Sequence, residues 1–120
     1  MKQFLESEIP NLPAADCLFH ILPAPYEKTV SYGGGTARGP EAILEASYQL
    51  EAYDGISCPC EKGIHTHPPQ HTLAFMEREI AQILKQHKIP VMLGGEHTVT
   101  VAALKALRAT GEEVGIIQFD

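Results

Sequence analysis

The sequence predicts an α/β fold, with a mostly parallel sheet covered by helices on both faces. Short apolar runs alternate along the chain with segments of helical periodicity, and the strand-like runs are apolar throughout. Parallel sheets that are buried on both faces are built from such strands, which are joined by helices. The 120 residues suffice for one domain and leave no room for two sizeable ones.

The first half of the chain predicts one strand and one helix. Residues 17–22 form a short apolar run that ends at Pro23 and is typical of a buried strand. A loop rich in glycine and proline follows. The first helix is predicted to begin at Gly39-Pro40-Glu41, because proline at the first helical position followed by an acid favours helix initiation, and to run to about Ala52.

The second half predicts two helices and two further strands. The polar residues 54–70 are interpreted as an excursion between elements. Apolar residues at helical spacing predict an amphipathic helix over 71–87, and a short strand follows over 89–93. A third helix is predicted over 98–110 and a final apolar strand over 114–119. We expect this last strand to be central, so that the domain is truncated after it.

The composition excludes several classes of function. Nine basic residues against fifteen acidic ones give a formal net charge of −6, which lacks the positive patch of proteins that bind nucleic acid or anionic membranes. A cationic partner or a metal ion fits this balance better. Glu6 and Glu8 stand where a secretory signal would have its apolar core, and no apolar run is long enough to span a membrane. We therefore expect a cytoplasmic protein with reduced cysteines.

Two predicted strand ends carry side chains that can bind a metal ion. Gly94-Gly95-Glu96-His97 follows one strand, and Asp120 follows the last one. Ligands of open α/β sheets collect outside the carboxyl ends of the strands, and a right-handed crossover would bring both ends to the same edge. An imidazole and a carboxylate there begin a site for Mn²⁺ or Mg²⁺, although a pair such as His97 and Asp120 also serves structural hydrogen bonding.

The motifs are similar to those of a known family. Gly94-Gly95-Glu96-His97-Thr98, then one helix, then Gly115-Ile116-Ile117-Gln118-Phe119-Asp120 resembles the ureohydrolases, that is, the arginases and agmatinases. The stretches 25–32 and 39–47 also look like agmatinase-type members. The similarity extends from about Cys17 to Asp120, with three motifs in the right order and at the right spacing.

The resemblance implies a metal-dependent hydrolase with the three-layer sandwich of the arginase and deacetylase type. His97 would be a ligand of one Mn²⁺ ion, and Asp120 would bridge two such ions, which activate water for attack on a guanidinium carbon. The substrate implied is a small cationic guanidino compound, agmatine, which is converted to putrescine and urea. Arginase or guanidinobutyrase activity is the alternative within the family.

The resemblance also implies what the chain lacks. The second motif stops at Asp120, and the family's remaining metal ligands and its catalytic His and Glu are absent. We therefore expect residues 1–120 to be the N-terminal part of a single ureohydrolase domain, without a catalytic residue and inactive by itself. The complete enzyme is expected to be a trimer or hexamer. Glu96 is expected to orient His97 from the second coordination sphere.

Three alternatives to this interpretation remain. Cys58 and Cys60 suggest a zinc site, because three histidines follow them: His65, His67 and His71. The single residue between the two thiols favours an exposed polar loop instead. Residues 33–39 are rich in glycine and precede a helix, which suggests a nucleotide-binding α/β domain, although no Gly-Lys-Ser/Thr sequence ends the loop. A non-catalytic subunit is a third alternative. His20, within an apolar strand, is expected to be a hydrogen-bonded core histidine.

Overall fold

The computed structural model describes residues 2–10, 12–29 and 32–119, and a small parallel sheet lies at its centre. The strands run in the order β2-β1-β3, and both pairings are parallel. The strands in these residues are β1 (Phe19–Ala24), β2 (Ile64–Thr66) and β3 (Ile89–Gly94), and the α-helices are α1 (Gly39–Ala46), α2 (Leu73–Lys85) and α3 (Val99–Ala109).

Helices cover both faces of the sheet, as the sequence predicts. Successive side chains of β1 point to opposite faces. Leu22 and Ala24 pack against apolar residues of α2 and α3, whereas Pro23 lies beside Pro40 and Leu44 of α1. The α/β prediction is therefore confirmed, with α1 forming one layer and α2 with α3 the other.

The helices form where an apolar stripe recurs every three or four residues. Met76, Ile80 and Ile83 are the buried residues of α2, at the spacing that places them on one helix face. Thr72 caps this helix, because its hydroxyl accepts a hydrogen bond from the backbone N–H of Phe75 at 3.2 Å. In the part of the chain that the structure describes, no helix is both long and apolar enough to cross a bilayer.

The first strand continues through Pro23, where the sequence predicts that it ends. Proline has no N–H, which makes it costly in the middle of a sheet. Here it costs no ladder hydrogen bond, because Pro23 lies beyond Thr66, the last residue of β2, which is paired with Ile21. The carbonyl of Pro23 still accepts a hydrogen bond from the N–H of Gln70 at 2.8 Å.

The strand β2 lies within the segment that the sequence predicts to be an excursion, and that prediction is wrong for Ile64–Thr66. Three residues are too short to show a strand periodicity, and a histidine occupies the middle position. The strand forms because the chain packs closely against the start of β1. A Cβ on Gly63 would lie only 2.8 Å from the Cα of Cys17.

The predicted final strand does not form among the described residues. Residues 112–119 have no regular secondary structure, and Ile117 and Phe119 are 83% and 95% exposed. An apolar pattern indicates which residues could form a strand. A strand also needs a neighbouring strand with which it shares backbone hydrogen bonds. In the described sheet β3 is an edge strand, and residues 112–119 do not pair with it.

The first helix is shorter than predicted. It ends at Ala46 and tightens into a 3-10 turn over Ser47–Gln49, instead of running to about Ala52. Ser47 is buried, and its hydroxyl donates to the carbonyl of Leu44 at 2.6 Å. The same hydroxyl oxygen accepts the N–H of Leu5 at 2.9 Å, so it ties the N-terminal segment to this helix end.

Candidate functional site

The chains that leave β1 and β3 run side by side at the carboxyl edge of the sheet. The N–H of Gly95 donates to the carbonyl of Ala24 at 3.2 Å, and the N–H of Glu96 donates to the carbonyl of Tyr26 at 2.9 Å. These bonds continue the pairing of the two strands past their ends. They place the segment after β1 directly against the residues that precede His97.

The two glycines of this motif serve close approach between backbones. Neither glycine has a positive φ. A Cβ on Gly95 would lie 2.7 Å from the nitrogen of Tyr26 and 2.8 Å from the carbonyl oxygen of Ala24. A Cβ on Gly94 would lie 2.9 Å from the Cγ2 of Val99. Any larger residue at position 95 would push the two backbones apart.

His97 lies at the junction between β3 and α3, and its side chain is exposed. Its carbonyl accepts the N–H of Thr100 at 3.0 Å, which begins the turn into the helix. The imidazole is therefore presented at the predicted edge of the sheet, open to a ligand. The other predicted ligand, Asp120, lies outside the described residues.

The described residues do not make a metal centre by themselves. Within residues 2–10, 12–29 and 32–119, no group of three or more His, Cys, Asp or Glu side chains could hold a metal ion. His97 would supply one nitrogen to such a centre, and a site built on it would need further ligands. That His97 and Asp120 share an ion remains a prediction.

The Glu96 side chain binds the loop after β1, although it is expected from the sequence to orient His97. Its carboxylate accepts the backbone N–H groups of Lys28 and Thr29 at 3.0 and 2.9 Å and the Thr29 hydroxyl at 2.6 Å. These hydrogen bonds, led by the one from the Thr29 side chain, hold the pKa of Glu96 below its ordinary value. The carboxylate therefore fastens the loop after β1 to the segment that contains His97.

A second carboxylate, Glu27, organises the glycine-rich loop. It accepts the N–H groups of Gly35 and Ala37 at 2.9 and 2.8 Å and the Thr36 hydroxyl at 3.0 Å. The pKa of Glu27 is lowered chiefly by the hydrogen bond from Ala37. A phosphate bound by this loop would need the same N–H groups. The protein's own anion already occupies them, which disfavours the nucleotide-binding alternative.

Sequence reasoning missed both loop partners, Glu27 and Thr29. Each lies in a stretch without periodicity, and its hydrogen-bonding role depends on backbone groups that become neighbours only in the fold. An acid eight residues before a glycine that adopts a positive φ is the only local signal, and it is not specific.

His20 is a buried core histidine, as predicted, and belongs to a cluster of three rings. Its Nε2 lies 3.1 Å from the carbonyl of Ala14 and 3.2 Å from that of Cys17, so this nitrogen carries the proton. Its Nδ1 is then an acceptor, and the Nε2–H of His67 donates to it at 2.8 Å. The Nδ1 of His67 lies 3.7 Å from a carboxylate oxygen of Glu79 on α2.

The surroundings of His20 and His67 favour the uncharged form of both rings. Burial, followed by the neighbouring rings of His65 and His20, lowers the pKa of His67 to about 4. Burial likewise lowers the pKa of His20, and Lys88 adds to this effect. Glu79 on α2 is the carboxylate beside His67.

The zinc alternative finds no support in the described residues. His65 and His67 point toward His20, with ring centroids 5.7 and 5.0 Å from it. The Nδ1 of His65 lies 3.3 Å from the carbonyl of Leu12, and the Sγ of Cys60 lies 3.8 Å from that of Ala52. No metal-binding group was found among the described residues, these histidines and cysteines included.

Known proteins are similar to this chain in sequence and fold. Residues 18–120 match the model of the arginase family. The chain is 41% identical to an N(1)-aminopropylagmatine ureohydrolase of Synechocystis sp., over 99% of this chain and 44% of that protein. It is 32% identical to an agmatinase of Bacillus subtilis, over 99% of this chain and 43% of that protein. The crystal structure of an agmatine ureohydrolase of Thermoplasma volcanium has a TM-score of 0.77 at 23% identity, over 88% of this chain and 38% of that one. The chain thus spans less than half the length of these proteins.

We expect Gly95→Ala to destabilise the chain by about 2 kcal/mol or more, because the new Cβ meets backbone atoms that cannot move independently. Urea denaturation at pH 7.5 measures this difference in the free energy of unfolding. Gly115→Ala is the matched control, since no atom lies within 4 Å of a Cβ there. Equal stability of the two variants would contradict the close approach at Gly95.

We expect the free energy of unfolding to fall as the pH is lowered from about 6.5 to about 4. The pKa of His67 is about 4 in the folded chain and near 6.5 when unfolded, so the unfolded state binds more protons across this interval. The loss is on the order of 2 kcal/mol for His67. Urea denaturation at several pH values measures the slope.

His67→Gln should make this pH dependence shallower, because one titrating group is removed and His20 remains. His71→Gln, at an exposed histidine outside the cluster, should leave the slope unchanged. A slope that is the same in all three proteins would show that the cluster does not control acid stability.

Proposed function

Because the chain belongs to the arginase family, we propose that it is part of an enzyme that hydrolyses the guanidino group of a cationic amine and releases urea. The observation that carries the proposal is His97, an exposed imidazole at the carboxyl end of β3 in a chain that matches the family over residues 18–120. In this position the ring can bind an ion without any rearrangement of the core. The acidic balance of the chain also suits a cationic substrate.

The substrate we propose is agmatine, which would be converted to putrescine and urea. Similarity to the agmatinase of Bacillus subtilis supports this choice. N(1)-aminopropylagmatine is the second candidate, because the relative from Synechocystis sp. that carries this name has the higher identity, 41%. The two substrates share the guanidino head and differ by an aminopropyl group, so selection between them would depend on the residues that contact the amine tail.

We propose that the reaction depends on a divalent metal ion, Mn²⁺. Two such ions would act as Lewis acids and lower the pKa of a water molecule for attack on the guanidinium carbon. His97 would bind one ion and Asp120 both, and the remaining ligands would come from outside residues 1–120. The chain's own contribution is to hold His97 at the sheet edge, through the pairing of Gly95 and Glu96 with the segment after β1.

The same proposal covers the organisation of the enzyme. Residues 1–120 would be the N-terminal part of one ureohydrolase domain, in a cytoplasmic trimer or hexamer. Putrescine as product would place the reaction in polyamine biosynthesis.

Urea release tests the proposal directly. The full-length protein that contains this chain, purified with Mn²⁺, should release urea from agmatine, from N(1)-aminopropylagmatine, or from both. Arginine and 4-guanidinobutyrate in parallel reactions distinguish the other activities of the family. If none of the four compounds yields urea, the proposed function is wrong.

His97→Ala in the full-length protein should lower kcat/KM by at least about 100-fold, because a direct metal ligand is lost and losing even an outer-sphere partner costs 10- to 100-fold. Its Mn²⁺ content, measured by atomic absorption after gel filtration, should fall in parallel. His71→Ala, at another exposed histidine, should keep both properties. Normal Mn²⁺ content in His97→Ala would exclude His97 as a ligand.

A further inference from the structure

Two carboxylates fix the loop that connects β1 to α1. Glu96 holds its beginning, at Lys28 and Thr29, and Glu27 holds its end, at residues 35–37. Lys28 and Thr29 are exposed, so they bury no side chain that could hold them in place. Hydrogen bonds to a carboxylate are therefore the main contacts that order this end of the loop.

Thr29 contacts both of the residues that flank His97 in the sequence. The Thr29 hydroxyl donates to Glu96, the residue before His97, at 2.6 Å. Its oxygen also lies 3.2 Å from the hydroxyl oxygen of Thr98, the residue after His97. The backbone pairing of Glu96 with Tyr26 adds a third connection at 2.9 Å. Residues 26–29 are therefore held in one position relative to His97.

We propose that Glu96 is a positioning residue that fixes residues 26–29 as a wall of the substrate site, and that it determines substrate affinity more than the rate of the chemical step. The proposal rests on the proposed ureohydrolase function. Its physical reason is entropic: a loop that is already ordered loses little freedom when substrate binds, whereas a released loop must be ordered at that moment. Glu96 would thus act through Thr29 and Lys28 and not through the imidazole of His97.

Amide hydrogen exchange tests the contact without reference to activity. In the full-length protein loaded with Mn²⁺, Glu96→Ala should speed exchange at the amides of Lys28 and Thr29 by about 10-fold or more, because hydrogen bonds to a charged acceptor are lost. Glu96→Gln keeps one carbonyl acceptor and should restore part of the protection. Glu27→Gln is the matched control, and it should affect Gly35 and Ala37 instead.

Steady-state kinetics with agmatine then test the role. Glu96→Ala should raise KM by about 10-fold or more, since ordering even one residue costs a comparable factor, while kcat changes by less than about 3-fold. Thr29→Val removes only the hydroxyl contacts and should raise KM by a smaller factor in the same direction. The Mn²⁺ content of both variants should equal that of the wild type.

Three results would overturn the proposal. Unchanged exchange at Lys28 and Thr29 in Glu96→Ala would show that the carboxylate does not hold the loop. A fall in kcat at constant KM, or a loss of Mn²⁺, would show that Glu96 acts on His97 instead. If the wild-type protein released no urea, the proposed function would fail, and the exchange experiment would still decide whether Glu96 holds the loop.

Discussion

The arrangement of the candidate site depends on one close contact between two backbones. Gly95 lies so near Ala24 and Tyr26 that no side chain fits between them, and its N–H donates to the carbonyl of Ala24. This contact extends the pairing of β1 and β3 beyond the regular strands. It places His97 and the loop after β1 at one edge of the sheet, where the Glu96 carboxylate accepts the backbone N–H groups of Lys28 and Thr29.

Loop order at this edge comes from hydrogen bonds and not from a hydrophobic core. The core lies between the sheet and the helices α2 and α3, where Leu22, Met76 and Ile80 are fully buried. Residues 26–29 and 32–38 are exposed or half-buried, and two carboxylates accept the backbone N–H groups of Lys28, Thr29, Gly35 and Ala37. Such a loop can change its sequence without affecting the core.

The sequence predicts the parts of the fold that local patterns determine. The α/β class is confirmed, and α2 and α3 form within two residues of their predicted bounds, because burial on one helix face imposes a spacing that the sequence displays. The family assignment is confirmed by the match over residues 18–120. His97 lies at the strand end where the motif predicts it.

The errors concern features that depend on partners distant in sequence. Nothing local indicates that Ile64–Thr66 will pair with β1, or that residues 112–119 will lack a neighbouring strand among the described residues. The same reason explains the error for Glu96, which is expected from the sequence to orient His97. Its carboxylate instead accepts the N–H groups of Thr29 and Lys28, which lie 67 and 68 positions away. An acid beside an exposed histidine has several possible partners, and only the fold selects among them.

Pro23 has a consequence for how the sheet can grow. Beyond Thr66 the β2 side of β1 presents no N–H at Pro23, and Gln70 already occupies its carbonyl. Pro68 and Pro69 follow β2 closely and lack donors of their own. Strand addition from another molecule, the first step of edge-to-edge aggregation, is therefore hindered on this side. In the described sheet β2 and β3 are the edge strands, so this hindrance concerns the stretch of β1 that extends beyond β2.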